Sequence, residues 1–164
     1  MKSKITVFCI VIFLSNIVCG IAVAAPSLCA PTETVIFSCA TTASKIISLC
    51  VDERDKLISY RYGKLRRVEM SYSARVGGEN GFYANHYFRP SVDYTRISFA
   101  VAEYQYSVFK NYDATEEPAI KYGVAVSKNG DNETQIECHS RVADNMKKIL
   151  KDLKCDRSSA LGCP

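Results

Sequence analysis

Histidine is nearly absent from this chain: His86 and His139 are the only two among 164 residues, so general-base chemistry has few places to sit. No G-x-S-x-G elbow accompanies either, which leaves a histidine-activated serine without its frame. A glycine-rich phosphate loop is missing too, because Gly77-Gly78 and Gly81 fall in a hairpin-like connection and open no helix. Close cysteine pairs such as C-x-x-C are lacking, and the shortest spacings in the body, Cys29 to Cys39, Cys39 to Cys50 and Cys155 to Cys163, do not suit zinc. No metal and no cofactor are expected. Beyond the first two dozen residues no stretch approaches the roughly 20 apolar residues of a membrane span.

Those first residues read as a targeting segment. Met1 to Lys4 is a cationic head, Ile5 to Val23 is almost wholly apolar, and Ala22-Val23-Ala24 offers small residues for a signal peptidase. A signal peptide over 1–24 leaves a single secreted domain over 25–164. Lys2, Lys4, Cys9 and Cys19 go with it, so basic residues fall from 21 to 19 against 17 acidic ones and the formal charge from +4 to +2. That excess is too small to argue for nucleic acid. Cys29, Cys39, Cys50, Cys138, Cys155 and Cys163 remain, an even set behind a secretory signal, and are expected to form disulfides whose pairing stays open. The compartment is then the periplasm or the cell exterior.

From Thr34 to His139 apolar residues alternate in short runs. Val35, Phe37 and Cys39 form one set; Ile58, Tyr60 and Tyr62, then Val68, Met70 and Tyr72, form others. Lys45 to Val51 is apolar on both sides and reads as a central strand. Further runs centre on Ile97 to Val101, Tyr104 to Val108 and Ile120 to Val126, and Asn129-Gly130-Asp131-Asn132 is a hairpin signal leading to Thr134 to Cys138. The period then changes: Val142, Met146, Ile149, Leu150 and Leu153 make a helical stripe with Ser140 as N-cap. The pattern predicts a mainly β fold, an antiparallel barrel or sandwich of seven to eight strands, closed by one amphipathic C-terminal helix over about 140–155 and stabilised by disulfides.

For chemistry, His139 reads as a solvated sheet-face residue, whereas His86 lies among Phe82, Tyr83, Tyr87 and Phe88 and has the better chance of facing a site. Glu79, Glu103, Glu116, Glu117 and Glu137 qualify as hydrolytic carboxylates by type alone. Arg54, Lys56, Arg61, Lys64, Arg66, Arg67 and Arg75 lie close in sequence and read either as a guarded sheet edge or as a patch for an acidic partner. Tyr72 to Tyr94 is the least bland stretch, with small residues followed by aromatics and an arginine, a composition suited to protein binding. Ser73, Arg75, Gly77, Gly78, Tyr83, His86 and Arg89 are its candidate contacts.

Phe37-Ser38-Cys39, the secretory cysteines and the segment Ser73-Ala74-Arg75-Val76-Gly77-Gly78 together resemble the small periplasmic lysozyme inhibitors of bacteria, in layout over about half the mature chain. The resemblance implies a disulfide-tied β protein whose loop around Ser73 and Arg75 blocks a cell-wall hydrolase; periplasmic immunity proteins share that logic. The expected function is thus non-enzymatic neutralisation of a peptidoglycan hydrolase by steric occlusion. Two other classes stand beside it: a small hydrolase or toxin using His86 or His139 with a glutamate, and a glycan-binding envelope protein using exposed tyrosines.

Overall fold

Alternating runs become strands wherever a neighbour offers backbone partners, and here they make one sheet. The computed structural model describes residues 24–164, so the expected signal peptide lies outside the described residues except for Ala24. Ten strands follow in order: β1 (Thr34–Thr41), β2 (Ile46–Asp52), β3 (Leu57–Lys64), β4 (Arg67–Arg75), β5 (Tyr83–Arg89), β6 (Val92–Val101), β7 (Tyr104–Asp113), β8 (Ile120–Lys128), β9 (Thr134–Asp144) and β10 (Lys154–Cys155). They hydrogen-bond in the order β10-β5-β6-β7-β8-β9-β1-β2-β3-β4, antiparallel except for the short β10–β5 pair. The sheet curls into a half-barrel, and the fold is mainly β as the alternation predicts. The strand count is ten rather than seven to eight, the additions being β5 and the two-residue β10.

β9 is the corner of the curl. Its first residues pair with β8, Glu137 opposite Gly123, while Cys138 to Asp144 pair with β1. Gly123 is required there, since a Cβ would collide with the Ile136 carbonyl and the Phe109 ring. Inside the curl Phe37, Leu49, Ile58, Tyr60, Ile97, Phe99 and Val108 are buried. The two ends of the sheet meet through side chains: Tyr72 of β4 stacks on Phe99 of β6 at 4.9 Å and lies 5.4 Å from Phe82, just before β5.

The expected C-terminal helix is absent. Residues up to Asp144 continue β9, because the edge of β1 supplies a ready ladder, and two 3₁₀ turns follow at Met146–Lys148 and Leu150–Asp152. Met146, Ile149, Leu150 and Leu153 are still buried, now as a plug on the core, while Val142 stands exposed on the strand. The apolar spacing reported the burial of four of its five residues and the period wrongly, since a plug buries Met146, Ile149, Leu150 and Leu153 as a helix would but leaves Val142 outside.

The six cysteines among the described residues are bridged as Cys29–Cys50, Cys39–Cys138 and Cys155–Cys163, which suits an oxidising environment. Among the described residues no helix is long and apolar enough to cross a membrane. The first bridge pins the N-terminal segment to β2, helped by a two-pronged Glu33–Arg61 ion pair at 2.6 and 2.8 Å. The third clips the tail, whose Asp156 and Gly162 carbonyls each accept a 2.8 Å hydrogen bond from the buried Asn85 amide.

Candidate functional site

The seven contacts expected from sequence do not form one surface. Ser73 and Arg75 lie exposed on edge strand β4, and the Ser73 hydroxyl bonds that of Ser59 at 2.8 Å. Gly77 and Gly78 belong to the crossover from β4 to β5. That crossover is tucked in: Gly78 N–H donates to Arg75, the Tyr72 hydroxyl donates to Asn80, and a Cβ on Gly77 would stand 3.3 Å from the Asp152 carbonyl. On β5, Tyr83 shares the outward side with Arg89, whereas His86 shares the inward side with Ala84, which is packed in the core.

His86 has a carboxylate partner, Asp93 rather than the glutamate expected. Its Nε2 lies 2.8 Å from Asp93 Oδ1, and the other carboxylate oxygen accepts from Lys110 Nζ at 3.0 Å and Lys147 Nζ at 2.8 Å. Burial alone would raise the Asp93 pKa, but hydrogen bonds from Lys147, His86 and Lys110 outweigh it and hold the carboxyl below the ordinary aspartate range. His86, Thr95, Lys110 and Tyr122 stand side by side across β5 to β8. Burial first, then the nearby Asp144 and Asp93 carboxylates, push the Tyr122 phenol up to about 12. A histidine held by a carboxylate is the geometry of a base and its orienter. The one hydroxyl beside it on β6, Thr95, is wholly buried and its Oγ1 has no hydrogen-bond partner. That oxygen is closed to solvent, and around it Asp93, His86, Lys110 and Lys147 form a hydrogen-bonded network. Its members were legible in part: the inward face of Ile97 and Phe99, traced back along β6, leads to Thr95 and Asp93.

His139 is exposed on β9, as its alternation implies, but it lines a groove. The groove, about 660 Å³, lies between the β1–β2 turn, the β3–β4 hairpin and the β9 corner. Lys64, Arg66 and Arg141 line it with His139, the hydroxyls of Thr41, Thr42, Ser44 and Ser140 complete it, and no carboxylate does. Glu69, whose carboxyl feels Arg67 and Lys64, is held by Lys45 at 2.6 Å. None of Lys64, Arg66 and Arg141 is ion-paired among the described residues. At the hairpin tip Leu65 is 68% exposed and Val68 47%, a costly display of apolar surface flanked by cations. Arg141 and Ser44 hold φ of +50 and +55, a left-handed backbone costing about 1 kcal/mol or more and concentrated in proteins at working surfaces. Nothing in the sequence joins Arg141 to Lys64; the β9–β1 pairing does.

Cys29, Glu33 and Cys50 come within 4.8 Å of one another, the spacing of metal ligands. Both sulfurs are spent in a disulfide and Glu33 is held by Arg61, so the trio has no free ligand to give.

The disulfide-tied β half-barrel thus carries a cationic groove on its rim beside the exposed apolar side chain of Leu65. Comparison with family models, with curated proteins and with solved structures returns no match.

Proposed function

We propose that the chain is a secreted periplasmic binding protein that neutralises a cell-wall hydrolase, as an inhibitor or an immunity protein, by steric occlusion. The observation that carries this reading is the carboxylate-free groove of Lys64, Arg66, His139 and Arg141 beneath the projecting Leu65. Glycan-cleaving enzymes work with paired carboxylates in a cleft, and a cationic projection with an apolar tip is the complement of such a cleft. The tucked crossover favours the β3–β4 hairpin over the Ser73–Gly81 segment as the element that enters.

The test is titration of the purified, oxidised protein into a panel of muramidases, amidases and endopeptidases. Stoichiometric inhibition of at least one is expected, weakening with salt. Arg66→Glu with Arg141→Glu abolishes it, while Ser73→Ala and Arg75→Ala leave it in place. Absence of binding to every class by folded protein overturns the reading.

A further inference from the structure

A second concavity lies inside the curl, at the end of the half-barrel where β3 and β4 face β7, β8 and β9. Its volume is about 450 Å³, and four tyrosines, Tyr60, Tyr62, Tyr104 and Tyr106, line it. Tyr60 is buried and Tyr104 is exposed, so the rings run from floor to lip. The Tyr60 and Tyr106 rings lie 6.2 Å apart at 40°. Burial first, then the nearby Tyr62 and Tyr106 phenols, raise the Tyr60 hydroxyl above the usual tyrosine range. Asn132 and Thr134 add an amide and a hydroxyl at the lip.

Each kind of occupant meets a different fate in this site. Met70, Val124, Val126 and Ile136 also line the site, but an acyl chain would cover the Tyr62, Tyr104 and Tyr106 hydroxyls and give them no partner, a loss of about 1–3 kcal/mol for each. An anion finds no free charge, because Lys128 is paired with Glu103 at 3.0 Å and Lys45 with Glu69 at 2.6 Å. A cation would be repelled by two lysines already over rings of the site, Lys128 at 5.6 Å over Tyr104 and Lys45 at 5.0 Å over Tyr62. A neutral ring with one apolar face and several hydroxyls satisfies everything at once: ring against ring, hydroxyl to phenol, amide at the lip. We propose that this tyrosine-lined mouth is a binding site for a neutral oligosaccharide, separate from the cationic groove.

Calorimetric titration with neutral tetramers of N-acetylglucosamine and of β-linked and α-linked glucose tests it, with laurate and tetramethylammonium as competitors of the other classes. Saturable binding of at least one tetramer is expected. Tyr104→Ala, which removes an exposed ring, should weaken it about ten-fold, and Tyr106→Phe, which removes only a hydroxyl, several-fold. Hydrolase inhibition should be unchanged in both variants, and saccharide binding unchanged in Arg66→Glu/Arg141→Glu, so either site can fail without the other. No saturable binding of any tetramer at about 10 mM by folded protein, or tighter binding of laurate or tetramethylammonium, overturns the proposal.

Discussion

Asp93 is the shared partner of three side chains from three elements: His86 on β5, Lys110 on β7 and Lys147 in the first 3₁₀ turn. One carboxylate therefore fastens the plug to the sheet. Asp93→Asn leaves Lys110, only 16% exposed, without its closest counter-ion and should cost about 3 kcal/mol in urea unfolding. The pH dependence has a definite sign. Because the folded carboxyl sits below its unfolded value near 4, its stabilisation is full above that value and fades as pH falls below it. The variant should accordingly lose the acid limb that wild type shows below about pH 4; an unchanged limb would mean that other carboxylates set it. Gly123 is another residue with little freedom. Gly123→Ala must push apart β8 and β9 against the Ile136 carbonyl, at a cost of about 1–3 kcal/mol.

At the scale of elements, the distinction between what sequence shows and what it hides falls at β9. Alternation gave the interior strands because each buries one face, and β2 was legible as central since Ile46 to Val51 are all buried. Sequence cannot show that β1 has a free edge waiting 100 residues upstream, and that edge is what turns Cys138 to Asp144 into strand. β5 was obscured by its composition, as aromatics and a histidine beside a glycine-containing connection suit a binding loop equally well. The groove was half visible: Lys64, Arg66 and Arg67 stood out as a cluster, and Arg141 and His139 did not. One pair of substitutions separates strand-and-plug from helix. Val142→Asp should be close to neutral, within about 0.5 kcal/mol, and Leu150→Ala should cost about 2–5 kcal/mol. An amphipathic helix would place both on one buried stripe and make both costly.

For the whole molecule, the three disulfides divide the work unequally, because constraint of the unfolded chain grows with the loop closed. Cys39–Cys138 spans 99 residues and joins β1 to β9 at the corner where the sheet turns, while Cys155–Cys163 spans 8 and closes the tail over β5. Chain entropy assigns about 4–5 kcal/mol to the first and about 2–3 kcal/mol to the last. Their failures should also differ in kind. Losing the corner bridge weakens the curl as a unit, so Cys39→Ala/Cys138→Ala should lower the global unfolding midpoint with one cooperative transition. Losing the tail bridge frees β10 from Tyr83 and Ala84 and the Gly162 carbonyl from His86, exposing unpaired backbone groups on the β5 edge. Cys155→Ser/Cys163→Ser should keep most of its stability yet show faster amide exchange along Tyr83 to Arg89 and a concentration-dependent increase in size. Both concavities proposed as binding sites lie away from that edge, so the same variant should retain hydrolase inhibition and saccharide binding while monomeric. If either activity disappears with the tail bridge, the tail belongs to that site, and the division of the molecule into a guarded edge and two working concavities is wrong.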